Sequence, residues 1–534
     1  GYTYNGSTPI GNYLADLYLA QNPSTASQAL HWGSTYVQAF GSPGFEMTTG
    51  DYSVFAQDQW KFSPRLSLTG GVRYEYEQFP NPIVPNTALP QTSVMPSNKS
   101  NIGPRVGFAY DIYGGGKTIL RGGYGIFFAR AINSTIYTAL SSTGAPAGQI
   151  SVSFSNSTPG APSFPQVLTG TSSIASAGGN AYYFDPNFKL PLIHQADLTV
   201  EQDLGWGSVF SLSWMGSWGR RLPDFVDTNL PAPTQVTFTV NDPGQIGPLR
   251  NGSSFTTNAF FRVQSSKNFR PNPAYGSITD IFSGVTSNYQ AMAAQFKHRM
   301  SHHIELNANY VWSHALDYGE NNTTGASATA LFDPTNIRLD YGNSNQNVPN
   351  RLVVYGVGTA PWRAKGWLGY LVNDYAISPS FAMQTGLPYS MFTSGSSSTL
   401  TVTPGQPVES IISTASYNGS GGTNRIPVYN HNNFQQPRTN VLDLRLSKRL
   451  QFADKYGLEF LGEAFNIANR QNVTSVNTTA YNVVNNMTTV GTATIGEGNT
   501  LTPYSVPFSQ ITSTNNSNFA YNIRQLQLAV RFQF

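Results

Sequence analysis

Apolar and polar residues alternate with a period of two along most of this chain, and helical periodicity is scarce. In the final stretch, LQLAVRFQF, every second residue is leucine, valine or phenylalanine. Strict alternation is typical of strands that present one apolar and one polar face. The pattern predicts one or two strands within 12–40 and thirteen further strands. The thirteen lie at about 52–61, 66–77, 103–112, 118–129, 195–204, 208–218, 288–299, 304–316, 351–361, 368–384, 440–450, 456–467 and 522–534.

The connections between these strands alternate between short and long. The short ones are centred on 62–65, 114–116, 205–207, 301–303 and 453–455. The long ones cover roughly 79–102, 130–194, 219–287, 317–350, 393–439 and 468–520. Outer-membrane barrels have short periplasmic turns and long extracellular loops, whereas so many long loops count against a soluble domain. The sequence therefore predicts an all-β protein, an antiparallel transmembrane β-barrel with about 13–15 strands in this chain, located in the outer membrane of a Gram-negative bacterium.

Composition agrees with a membrane barrel. Charged residues make up 11% of the chain, against about 25% in soluble domains. The net charge of +3 is too small to indicate a nucleic-acid partner, and without cysteine there are no disulfides or thiolate metal ligands. Trp60, Trp206, Trp362 and Trp367 lie at or beside short turns, which indicates an aromatic girdle at the membrane interface. The alternative interpretation is that these four rings simply pack against other side chains near the strand ends.

Few side chains suggest chemistry. No nucleophile with a convergent base is present, so neither an enzyme nor a cofactor is expected. Asp317, Glu320 and Asn321 offer hard oxygen ligands in a predicted external loop, where they form either a weak calcium site or a plain polar loop. His298, His302 and His303 straddle a turn, so their imidazoles are expected to diverge and to be solvated.

Charged residues concentrate on the predicted polar faces of the strands. Arg73, Glu75, Arg105, Arg121 and Glu463 are therefore the candidates for groups that face the lumen of the barrel. They can brace the wall and solvate the lumen, or they can contact a ligand.

Several stretches together resemble one family, the TonB-dependent outer-membrane receptors of the Oar-like type, which carry an N-terminal carboxypeptidase-regulatory-like domain. The resemblance spans most of the chain and follows the family's order. It implies a plugged barrel, 22-stranded like the large transporters, that takes up a ligand when TonB pulls on the plug. The stretches include YSVFAQDQWKFSPRLSLTGGVRYEYE, GPRVGFAYDIYGGGKTILRGGYGIFF, WMGSWGRRLP, SNYQAMAAQFKHRMSHHIELNANYVWSHALD, DPTNIRLDYGNSNQNVPNRLVVYGV, QTGLPYS and LEFLGEAFNIANRQNV.

Relative to that family, residues 1–534 correspond to the C-terminal portion of the barrel. The plug, the TonB-contacting segment and the regulatory-like domain are absent from this sequence, and TonB would act through that missing N-terminal segment. The expected function is a receptor barrel for TonB-dependent uptake of a glycan, a peptide or a metal chelate captured by the extracellular loops. A passive outer-membrane channel, or a surface adhesin without a plug, is the alternative.

The C-terminus carries a separate expectation. Alternation predicts that Leu526, Leu528, Val530, Phe532 and Phe534 face membrane lipid, and that the last strand ends at the periplasmic rim. A terminal aromatic such as Phe534 resembles the signal that the barrel-insertion machinery reads. The predicted partners are thus outer-membrane lipid, this machinery, TonB and an unidentified ligand, with no nucleic acid.

Overall fold

A large antiparallel sheet dominates the structure, a computed structural model that describes residues 9–22, 36–42, 44–154, 165–169, 179–262, 270–319, 331–395, 397–452, 456–515 and 523–534. Thirteen long strands, here called the wall, pair with their neighbours in chain order. They are β1 (Gly50–Ser63), β2 (Leu66–Gln78), β3 (Asn101–Asp111), β4 (Thr118–Phe128), β5 (Leu192–Gly205), β6 (Ser208–Asp227), β7 (Ile278–Ser301), β8 (Ile304–Asp317), β9 (Asn350–Thr359), β10 (Tyr375–Gln384), β11 (Thr439–Phe452), β12 (Tyr456–Phe465) and β13 (Gln525–Gln533).

Every one of the thirteen predicted wall strands is present, but the strand predicted at 368–384 begins too early. Trp367–Val372 forms a short helix instead, and β10 starts at Tyr375. The stretch WLGYLV is apolar throughout and shows no alternation, so its pattern does not distinguish a strand from a helix. Gly366 precedes the helix with a φ of 64°, and Asp374 follows it with a φ of 57°. These two left-handed residues separate the helix from β9 and β10.

The prediction of wall strands within 12–40 is wrong for the described part of that stretch, and residues 23–35 lie outside the described residues. Pro9–Gln21 is an α-helix, since Pro9 is well suited to the first helical turn. Tyr36–Phe40 is a strand, but it pairs with Ile150–Phe154 and lies outside the wall. Among the described residues, β1 and β13 are the two edges of the wall, and each has a wall neighbour on one side.

The register keeps one face of the wall apolar across the strands. Because side chains alternate along each strand, cross-strand partners share a face. The apolar face is exposed in the isolated chain, with Leu528 at 88%, as expected for a surface that contacts lipid. One row of partners on this face consists of Leu68, Phe108, Gly122, Leu198, Trp214, Met292 and Trp312.

The two ends of the wall differ. At one end, here called the short-turn end, the connections are brief and use left-handed residues such as Trp206 and His302, with φ of 49° at each. Trp60, Trp206, Trp362 and Trp367 all lie at this end and are 50% to 87% exposed. Gln533 pairs with Gly457 at the start of β12, so Phe534 ends the chain at the same level. The predicted turn at 453–455 lies outside the described residues.

At the opposite end, here called the loop end, the long connections form smaller sheets and short helices. Strands β6 and β7 are 20 and 24 residues long, against the 9–11 that cross a bilayer, so they extend beyond it. None of the helices in the described ranges is long and apolar enough to cross a membrane. The helices are α1 (Pro9–Gln21), α2 (Asn133–Ser141), α3 (Trp367–Val372) and the 3-10 turns Pro90–Ser93 and Ile337–Asp340. The remaining strands are Tyr36–Phe40, Ile150–Phe154, Ala181–Phe184, Thr234–Val240, Ser254–Ala259, Gly342–Asn343, Pro388–Tyr389, Phe392–Ser394, Thr399–Leu400, Glu409–Ser410, Phe434–Gln435, Val473–Val476, Thr479–Val490, Ala493–Pro503 and Ile511–Thr514.

Candidate ligand-binding surface

The long loops at the loop end form a packed unit, here called the loop assembly. Its centre is a five-stranded sheet in the order Ser254–Ala259, Thr234–Val240, Ala493–Pro503, Thr479–Val490 and Phe392–Ser394. Two of these pairings are parallel and join segments that are far apart in sequence. A buried apolar cluster lies against the sheet. It includes Val236, Phe238, Phe332, Leu400, Tyr417, Ile426, Tyr481 and Leu501.

A buried ion pair ties two loops of the assembly together. The Arg425 guanidinium lies 3.0 Å from a carboxylate oxygen of Asp340, and their side chains are 1% and 6% exposed. Arg425 also donates to the backbone oxygens of Tyr429 and Leu339, while Asp340 accepts from the backbone N–H of Phe332 at 2.8 Å. Both charges are thus paired and hydrogen-bonded, which burial requires.

Asparagine side chains hold much of the remaining backbone. Asn432, which is 3% exposed, donates to the backbone oxygen of Asn343 and accepts from the Ser390 hydroxyl. Asn472 both accepts from the backbone N–H of Asn440 and donates to its oxygen. Asn418 bridges to the backbone oxygen of Phe332. An amide offers donors and an acceptor at once, which suits irregular backbone. These loop amides are therefore used internally and do not face a ligand.

A polar cleft remains open on the surface of the assembly. Its volume is about 260 Å³, and Gln235, Thr256 and Asn336 are exposed on its rim. The Thr257 hydroxyl, which also lines the cleft, is buried and has no hydrogen-bond partner among the described residues. Asp333 is the acidic residue that lines the cleft, and its carboxylate already accepts hydrogen bonds from the Asn258 amide at 2.8 Å and from the Thr335 hydroxyl at 2.6 Å.

A second packed cluster supports the β6–β7 extension. Helix α2 places Ile136 and Leu140 against Phe184, Phe225 and Ile281, all almost completely buried. The cluster packs residues of 79–95, 131–140 and 184–190 against the extended hairpin. Its buried members are all apolar side chains.

The five predicted lumen residues all lie on the polar face of the wall but do not form one site. Arg73 and Glu75 are brought together as an ion pair at 2.6 Å. Arg105 lies 4.5 Å from the ring centroid of Phe127. Arg121 is 3.9 Å from Glu201 on β5, and Glu463 is 3.8 Å from Arg445 on β11. Four of the five charges are thus in ion pairs, one pair within β2 and two between neighbouring strands.

Of the weak calcium candidates, Asp317 alone lies within the described residues. Asp317 accepts a hydrogen bond from the backbone N–H of Gly319 at 2.9 Å, while Glu320 and Asn321 lie outside those residues. Within the described ranges, no three histidine, aspartate or glutamate side chains are grouped to hold a metal. His298 contacts the Ser208 hydroxyl at 2.8 Å, and His302 and His303 occupy the turn after β7.

A family model described as "Outer membrane beta barrel domain" matches residues 1–527. The chain belongs to this family. The predicted fold class and the location in the outer membrane of a Gram-negative bacterium are thereby confirmed, and the wall is the barrel wall. No curated protein matches the chain.

Several solved outer-membrane barrels are similar to most of this chain. The outer membrane transporter YddB from Escherichia coli has 11% identity and a TM-score of 0.42, over 91% of this chain and 45% of that one. The FrpB iron transporter from Neisseria meningitidis has 9% identity and a TM-score of 0.42, over 92% and 46%. The ferripyoverdine receptor of Pseudomonas aeruginosa has 10% identity and a TM-score of 0.40, over 91% and 39%. The chain spans less than half the length of each.

Proposed function

We propose that this chain is the barrel portion of a TonB-dependent receptor of the Oar-like type, and that its loop assembly captures the ligand for uptake. The observation that supports the proposal is the packed loop assembly at one end of an outer-membrane barrel wall. A passive pore can conduct without a packed loop assembly at one end, whereas a receptor needs a preorganised surface.

The cleft indicates the chemistry of the ligand. Hydrogen-bonding groups dominate its rim, and no lysine, arginine or histidine lines it. At about 260 Å³ the cleft is smaller than the ~300–1,000 Å³ of whole small-molecule sites, so it would hold one unit of a longer ligand. A neutral glycan or peptide fits these properties better than a highly charged chelate.

The test separates capture from energised uptake. Cells that display the protein are given labelled neutral oligosaccharides, peptides and ferric chelates, with and without a protonophore. We expect one neutral class to bind in both conditions but to enter only energised cells. Asn336→Ala and Gln235→Ala should each weaken binding about 5–30-fold. Thr239→Ala, an exposed change on the same loop strand as Gln235, is the matched control.

Two results would contradict the proposal. Entry that continues after the proton-motive force is dissipated would indicate a passive channel. If the loop assembly binds a ligand or a host-cell surface but no ligand enters the cell, the protein would be an adhesin.

A further inference from the structure

The apolar face of the wall carries a large groove near the short-turn end. Its volume is about 790 Å³, and it crosses the strands from β8 to β13. One row of successive cross-strand partners forms its floor and sides. The row consists of Ile304, Gly358, Ile377, Leu446, Gly462 and Leu528.

Two glycines in this row create the depression. Gly358 and Gly462 present no side chain, whereas the isoleucine and leucines beside them project from the wall. Packing does not require glycine at 462, because a Cβ there would lie 3.7 Å from Leu528 Cδ2, an ordinary contact. The bare position is therefore available to an external apolar group.

The short-turn end of the groove is cationic and aromatic. Lys448, Tyr375 and Trp362 line it. The Lys448 amine lies 4.6 Å from the centre of the Tyr375 ring and donates to the backbone oxygen of Asn373. Two further cations, Arg363 and Lys365, are exposed in the connection between β9 and β10. Lysine, tryptophan and tyrosine are the residues that proteins place at the level of lipid headgroups.

We propose that this groove binds an anionic phospholipid, with an acyl chain over Gly358 and Gly462 and the phosphate at Lys448. The apolar floor matches the chain, and the cationic mouth matches the phosphate, as in the basic headgroup sites of other membrane proteins. The site lies on the lipid side of the wall and is separate from the cleft in the loop assembly. It does not depend on the identity of the captured ligand.

The experiment measures which lipid the protein retains. The protein is reconstituted in nanodiscs with equal amounts of phosphatidylglycerol and phosphatidylcholine, and native mass spectrometry then counts the lipids that remain bound. We expect wild-type protein to retain phosphatidylglycerol over phosphatidylcholine by about fivefold. Gly462→Leu, which fills the groove, should abolish this retained lipid. Lys448→Gln should keep a bound lipid but remove the headgroup preference.

Matched changes control for bulk and charge. Ala294→Leu adds a similar side chain to the apolar face of β7, outside the groove, and Lys61→Gln removes a lysine at the short-turn end of β1. Both should retain phosphatidylglycerol as wild type does. Equal retention of the two lipids by wild-type protein would overturn the proposal, and so would equal retention by Gly462→Leu and Ala294→Leu. A protein dimer that Gly462→Leu disrupts would assign the groove to a second copy instead.

Discussion

Removing one partner of the buried Arg425–Asp340 pair should unfold the loop assembly locally. In Asp340→Ala, Arg425 would remain 1% exposed with its charge uncompensated, which costs about 3–5 kcal/mol. The backbone N–H of Phe332 would also lose the acceptor that now lies 2.8 Å away, a loss of about 1–3 kcal/mol for a buried donor. The two costs are not fully additive because relaxation of the same loops reduces both. We therefore expect the loop assembly to lose about 5 kcal/mol of stability in total.

Hydrogen exchange of the protein in liposomes measures this effect. Backbone amides in Thr234–Val240 and Ala493–Pro503 should exchange roughly three to four orders of magnitude faster in Asp340→Ala. Amides in β1–β5 serve as the internal standard and should not change. Pairing Asp340→Asn with Arg425→Met removes both charges but keeps an acceptor for Phe332, so much of the protection should return.

An exposed ion pair provides the matched control. Arg130 and Asp51 lie 2.7 Å apart with side chains 59% and 43% exposed, so Arg130→Met should change stability by no more than about 1 kcal/mol. Unchanged exchange in Asp340→Ala would refute the view that the buried pair joins the loops. Equal losses in the single and the double variant would show that the carboxylate matters through packing rather than charge.

Two further predictions concern a buried histidine and the C-terminus. Burial, helped by the nearby Arg425, lowers the pKa of His431 from its ordinary 6.5. As the pH falls below 6.5, the histidine is protonated in the unfolded loops but stays neutral in the folded ones, so the protection of the loop amides from hydrogen exchange should decline. In His431→Phe this protection should depend less on pH. Deleting Phe534 should reduce membrane insertion while the inserted fraction still binds ligand, and Phe534→Tyr should insert normally. Cell fractionation and surface proteolysis measure how much protein is inserted. Normal assembly of the deletion variant would show that Phe534 is not an insertion signal.

The wall could be predicted from sequence because its determinants are local. Alternation fixes the two faces of each strand, and a short turn fixes the register of the next, as in β5 and β6 around Trp206. The helix α3 was missed because WLGYLV has no period. Cross-strand ion pairs on the polar face, such as that of Arg445 and Glu463, could not be predicted because alternation gives the face of a residue but not its partner on the next strand.

The loop assembly could not be predicted because its contacts are distant in sequence. Tyr481 receives a hydrogen bond from the backbone N–H of Leu249, 232 residues away, and no local period encodes such a contact. Its cleft depends on three separate loops, which contribute Gln235, Asp333 and Val428. The sequence also does not show which of the loop amides face outward.

The internal use of asparagine bears directly on ligand selection. Loop asparagines such as Asn432, Asn472 and Asn499 are at most 3% exposed, and they satisfy backbone groups that irregular chain would otherwise leave unpaired. Loops held in this way lose little further conformational entropy when a ligand arrives, and this lowers the cost of binding. The few polar groups that remain exposed, including Gln235 and Asn336, then determine which ligand is bound. Changes at these positions should alter which ligand is captured while the assembly stays folded.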